Sequence, residues 1–172
     1  MARKKSTGRA GTRRVPMREF SRSLPMSLLR AREAVMRHFR ASLRDHGLTE
    51  QQWRILRALA SVEVIEVTEL ARLAFLLGPS LSRILRDLEA RRLIERKVAE
   101  ADLRRGLVSI SAKGLKLMET VAPSSEAIYA AITRRYGARK LSALQAMLHE
   151  LERSLTELRT GKGSDPAAGE FE

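Results

Sequence analysis

Cysteine is missing from all 172 residues, which excludes disulfides, zinc ribbons and thiol-based redox sensing and suits a cytoplasmic protein. Histidine is scarce. His38, His46 and His149 show no tight ligand spacing; His38 and His46 fall on one helical face two turns apart, and a metal site there needs ligands from elsewhere. No apolar run is long enough to span a membrane, and none follows the N-terminal charges as a secretory signal requires. No P-loop, GxGxxG, GxSxG or HExxH occurs, so catalysis has no foothold. No metal, cofactor, membrane partner or enzymatic activity is expected.

Acid is the other shortage. The chain carries 33 Lys+Arg against 20 Asp+Glu, a formal net charge of +13 and a standing attraction for polyanions. Residues 1–22 hold eight basic residues and a single acid, Glu19, whereas residues 161–172 set Lys162 against Asp165, Glu170 and Glu172. The body between them is basic in its own right, so the charge is more than a tail effect. Residues 1–22 read as a disordered basic arm, mixing Gly, Ser, Thr and cations with no apolar period, and 161–172 as a disordered tail. The arm either tracks phosphates beside a docked domain or is a solubilising leader.

Against these absences stands the stretch from Leu77 to Ser111. Gly78 can cap a helix, and Pro79 sits where a helix tolerates proline. Leu81, Ile84, Leu85 and Leu88 recur at i, i+3, i+4 and i+7, a stripe that must face a core. The opposite face carries Ser80, Ser82, Arg83, Arg86 and Asp87. Two short β-type runs follow, Leu93–Val98 and Leu107–Ile110, joined by AEADLRRG with Asp102, Arg104, Arg105 and a turn-permitting Gly106. A basic helix followed by an arginine-bearing hairpin is the layout of a winged helix-turn-helix. In that layout Ser80, Ser82, Arg83 and Arg86 contact bases and phosphates. Arg104 and Arg105 enter or border the minor groove, where narrow A·T tracts concentrate negative potential. Taken singly, the helix face also reads as an ordinary solvated surface and the turn as a charged loop.

The order and spacing of LTEQQWRILRAL, VTELARLA, PSLSRILRDLEARRLIER, the Asp-x-Arg at Asp102 and Arg104, and SAKG at Ser111–Gly114 carry a resemblance. From Leu48 to Gly114 the chain resembles the MarR family of bacterial transcriptional regulators, and with the flanking helices the resemblance runs from about Leu24 to Leu158. It departs in one place: the pattern after the wing is Leu-Thr-x-x-Gly, and here Ile110 and Ser111 precede Gly114. Serine keeps a capping hydroxyl.

The flanks read as helices. Leu28, Val35, Phe39 and Leu43 line the first, Gly47 ends it, and Thr49 with Gln52 forms a capping box for the next, whose buried side is Trp53, Ile55, Leu56 and Leu59. Val67–Ala74 opens the helix-turn-helix with Leu70, Leu73 and Ala74 inward. Leu115 to Tyr136 is a long helix. Lys140–Arg159 is another, bearing Leu141, Leu144, Leu148, Leu151, Leu155 and Leu158 as a heptad seam. The expected fold is mainly α with a small β wing. A winged helix-turn-helix DNA-binding domain at 48–114 lies between an N-terminal dimerisation helix at 23–47 and C-terminal dimerisation helices at 115–160. The seam can pack within one chain. The resemblance implies instead a homodimer whose terminal helices interlock, setting two recognition helices roughly 34 Å apart on a palindromic operator in double-stranded DNA.

The resemblance also implies an effector. SLLRAREAVMRHFRASLRDHGLTEQQWRIL is most similar to the family's aromatic-catabolism subgroup, the repressors of homoprotocatechuate and nicotinate degradation. That implies a small aromatic carboxylate, such as a hydroxyphenylacetate or hydroxynicotinate, bound where dimerisation helices meet the winged domain. Arginine offers a carboxylate a bidentate fork and tryptophan a stacking wall, so Arg32, His38, Arg40, Trp53 and Arg54 are the local ligand candidates. Each, taken singly, can equally be a core or surface residue. The expected function is a cytoplasmic, ligand-responsive repressor. The alternatives are a nucleoid-type architectural protein with little sequence preference and, more distantly, an enzyme of aromatic metabolism.

Overall fold

Helices make up most of the chain, in the order α1 (Leu24–Asp45), α2 (Glu50–Leu59), β1 (Ile65–Glu66), α3 (Val67–Leu73), α4 (Gly78–Ala90), β2 (Ile94–Ala99), β3 (Asp102–Ile110), α5 (Ala112–Tyr136) and α6 (Ala138–Thr160). The computed structural model describes residues 19–99 and 102–160, without the side chains of 99, 102–105 and 158–160. Of the basic arm only residues 19–22 are described, with Phe20–Arg22 as one 3₁₀ turn; the C-terminal tail lies outside the described residues. The chain divides into two units, residues 1–38 and 39–172. In the first, α1 leaves Leu24, Leu28, Leu29 and Val35 between 39% and 52% exposed.

The second unit holds the core, and its helices end where local chemistry says they should. Gly47, at φ +64, lets the chain leave α1. Its N–H donates to the Arg44 carbonyl and that of Leu48 to the Leu43 carbonyl, each at 2.9 Å, the paired closure of a Schellman motif. The expected capping box opens α2: Gln52 N–H donates to Thr49 Oγ1 at 3.2 Å, and Thr49 N–H to Gln52 Oε1 at 2.7 Å. Thr49→Ala should therefore cost about 1 kcal/mol. That is a fall of roughly 2–4 °C in a thermal melt of a chain this size; an unchanged melting temperature would count against the box.

Ile55, Leu56 and Leu59 of α2 and the whole Leu81, Ile84, Leu85, Leu88 stripe of α4 are buried, as is Val108. The three strands pair antiparallel in the order β1-β3-β2, with Ile65 opposite Val108 and Ile94 opposite Ile110. Three expectations need correction. The hairpin turn is shorter than AEADLRRG, because β3 already begins at Asp102 and Gly106 pairs with Val98 in the ladder instead of turning the chain. The N-cap of α4 is Leu77, one residue before Gly78. Leu73, expected inward, is 51% exposed, since α3 ends there while Leu70 and Ala74 carry its burial. The α6 seam, which can pack within one chain or against a second subunit, keeps Leu148 and Leu155 39% and 49% exposed. Among the described residues no helix is long and apolar enough to cross a membrane.

Candidate functional site

Burial of one stripe of α4 decides what the other side presents. Pro79, Arg83, Arg86 and Ala90, at i, i+4, i+7 and i+11, run down the middle of the exposed face, with Ser82 on one flank and Ser80 and Asp87 on the other. All are exposed. Among the described residues, the side chains of Ser80, Ser82, Arg83 and Arg86 make no hydrogen bond or ion pair. Two unengaged guanidiniums about one turn apart, between small residues at either end, suit a close approach to an anionic groove.

Asp87 is used differently. It accepts a 2.6 Å hydrogen bond from Gln52 Nε2 and lies 3.7 Å from Arg91, which itself donates to the Gly47 carbonyl at 3.0 Å. Lys113 Nζ donates to the Arg91 carbonyl at 2.9 Å. The cap of α2 and the first turn of α5 therefore hold the rear of α4, and Asp87 positions the helix. A second Schellman closure ends α4, with Arg92 at φ +59 and Leu93 N–H on the Leu88 carbonyl at 2.9 Å. On the wing, Val98 faces Gly106 and Ala99 faces Asp102, so residues 103–105 of β3 are extra against β2. Such a bulge re-aims side chains. Arg104 and Arg105 lie in it; their side chains are outside the described ones.

A cleft of about 360 Å³ opens between α2 and α5, lined by Trp53, Arg57, Leu115, Met118, Glu119, Ser125 and Glu126 among others. Of the expected ligand residues it contains Trp53 alone. Arg57 Nη1 donates to Tyr129 Oη at 3.2 Å, and the Tyr129 ring tilts against Phe39 with centroids 4.9 Å apart. Arg40 and Arg54 instead converge on Glu50, whose side chain is 15% exposed. Arg40 donates from Nε at 3.2 Å and Nη2 at 3.1 Å, and Arg54 from Nη2 at 3.0 Å while its Nη1 donates to the Ala74 carbonyl at 2.9 Å. A ligand carboxylate reaching either arginine must compete with Glu50, and removing one partner of so covered a cluster is expensive. Arg32 pairs with Glu33 at 2.8 Å along α1, and His38 is exposed; both belong to the first unit. Sequence reasoning passed over Arg57. The available signal was its i+4 spacing from Trp53, which puts both on one face of α2.

Residues 46–105 match the MarR family. The homoprotocatechuate degradative operon repressor of Escherichia coli is 38% identical over 128 residues, 74% of this chain and 86% of that protein. The crystal structure of NadR in complex with 4-hydroxyphenylacetate superposes with a TM-score of 0.69 at 36% identity, covering 80% of this chain and 97% of the other. The transcriptional repressor CouR, bound to a 23-mer DNA duplex, gives 0.72 at 25% identity, with 81% and 99% covered. The repressor, like the family, acts on transcription and is no enzyme. With this likeness extending over most of its length, the chain belongs to the MarR family of winged-helix transcriptional regulators.

Proposed function

We propose that this protein is a cytoplasmic homodimeric repressor that binds a palindromic operator and is released from it by a small aromatic carboxylate. The observation that carries the reading is the outer face of α4, where Arg83 and Arg86 stand exposed and unengaged while Asp87 is tied back to α2. A related repressor has been solved on duplex DNA. Dimerisation is supported by the apolar residues left exposed on α1 and by Leu148 and Leu155 on α6, which need a partner to be buried. Two subunits then set two copies of α4 about one DNA turn apart.

The cleft between α2 and α5 supports the effector. Trp53 supplies an aromatic wall, and Arg57 offers a guanidinium whose hydrogen-bond partner among the described residues is the Tyr129 hydroxyl. A carboxylate is the better acceptor, because charge-assisted hydrogen bonds are roughly twice as strong as neutral ones. Homoprotocatechuate catabolism and 4-hydroxyphenylacetate are named for two of the relatives, and both point to the same ligand class. Such a ligand lowers DNA affinity only by preferring a subunit arrangement that does not fit the operator.

The test is binding to the DNA upstream of its own gene at physiological salt, with and without small aromatic acids. Saturable, competitor-resistant binding released by one acid supports the reading; salt-sensitive binding indifferent to sequence and to every acid supports an architectural protein instead. Arg57→Ala should keep operator affinity and need about 10- to 100-fold more acid for release, since a hydrogen bond to a charged group contributes about 1.5–3 kcal/mol. A variant released at the wild-type concentration would remove Arg57 from the site.

A further inference from the structure

Two local rules are broken side by side where α3 passes into α4. The N-cap of α4 is Leu77, which makes no side-chain capping bond, although Ser, Thr, Asp and Asn are the residues that satisfy the free N–H groups of a first turn. Two residues earlier Phe75 stands at φ +50, closing α3 as Arg92 closes α4, with its N–H on the Arg72 carbonyl at 3.2 Å and that of Leu76 on the Ala71 carbonyl at 3.0 Å, in a left-handed position that bulky side chains seldom take. Both residues are 79% exposed, so the core does not explain why either carries a large apolar side chain. Where local preferences are overridden without a packing gain, function is the usual reason.

The position narrows the function. Leu77 directly precedes Gly78, Pro79 and Ser80, the N-terminal end of the DNA-reading helix, and in helix-turn-helix proteins that end meets base edges. Nothing lies within 4 Å of where a Cβ on Gly78 would stand, so the backbone beside Leu77 is open to a close approach. The floor of the major groove is lined with hydrogen-bonding groups that an alkyl side chain cannot use. Its one apolar group is the 5-methyl of thymine. We propose that Leu77 recognises a thymine through that methyl in each half-site, with Phe75 extending the same apolar edge. The proposal rests on the operator-binding reading above.

The probe is an operator duplex selected from random DNA by the full-length protein, with each thymine in turn replaced by deoxyuridine. That change deletes the methyl and keeps every hydrogen-bonding group. At one symmetric position the wild-type protein should lose about fourfold in affinity per half-site, the value of one buried methyl. Leu77→Ala should bind the thymine and uracil duplexes equally, and Leu77→Met should restore the difference. Leu77→Ser separates reading from folding: a serine cap should raise the melting temperature by about 2–4 °C while the methyl preference disappears. Indifference of the wild type to uracil at every position overturns the proposal, as does a selected operator without thymine. A uracil penalty that survives unchanged in Leu77→Ala and Leu77→Ser also overturns it. A wild-type protein that selects no sequence at all sinks the operator reading itself, a result distinct from these.

Discussion

Gly114→Ala is expected to destabilise the protein by about 3 kcal/mol, seen as a fall of roughly 6–12 °C in melting temperature. Helix propensity argues the other way, because alanine is better than glycine inside a helix by about 1 kcal/mol. Contact geometry decides the sign. A Cβ on Gly114 would stand 2.2 Å from the Leu93 carbonyl oxygen and 2.8 Å from Ile110 Cγ1. The first of these is backbone and cannot swing aside. The Leu93 N–H is held by the Leu88 carbonyl at 2.9 Å, and its carbonyl accepts from Ser111 N–H at 3.1 Å. Ser111 also caps α5, accepting from Gly114 N–H at 3.0 Å while donating to the Arg92 carbonyl at 2.7 Å. The added methyl therefore pushes on the residue that closes the end of α4. Gly78→Ala, with nothing within 4 Å, is the matched control and should melt at or above the wild-type temperature. Equal melting of Gly114→Ala and wild type would mean that α5 does not sit on Leu93.

The serine, the glycine and their spacing were visible in SAKG, and so was most of the scaffold. The α4 stripe was legible because four apolar residues at helical spacing have one physical explanation, and all four are buried. The capping box and Gly47 were legible because each rests on contacts within a few residues. The wing was read short. Leu-Arg-Arg-Gly carries no alternation and contains a residue that strands disfavour, yet pairing with β2 extends β3 to Asp102. Strand β1, two residues long, is too brief to leave a pattern. The cleft was half legible. Trp53 was found as the single tryptophan of the chain, whereas Arg57 becomes visible only when α5 lays Tyr129 and the wall of Met118 and Ser125 beside it. The Glu50–Arg54 pair was readable at i,i+4, whereas the reach of Arg40 from another helix to the same carboxylate was not.

Arg83→Ala should weaken operator binding by about 1–3 kcal/mol in each half-site, the worth of one bidentate base contact, and so by roughly 30-fold or more for a dimer. Arg83 and Arg86 share the exposed face of α4, yet they should behave differently. Arg83 lies three residues nearer the N-terminal end, which meets base edges, and Arg86 lies past the midpoint of the helix in its C-terminal half, expected to meet phosphates flanking the groove. Loss of Arg83 should cost affinity for the operator far more than for random DNA, lowering the ratio between them. Loss of Arg86 should weaken both alike and reduce the slope of log affinity against log salt by about 1 per site. Arg83→Lys should not rescue, because an ammonium cannot present two parallel donors to guanine. Neither substitution should move the melting temperature, since both side chains are exposed and make no hydrogen bond or ion pair with the described residues. An Arg83→Ala protein that held its operator at wild-type affinity would show that α4 does not read DNA with this face. If Arg83 and Arg86 instead lost affinity evenly on every sequence, the charges would be serving an architectural binder, and selective repression would have to be abandoned.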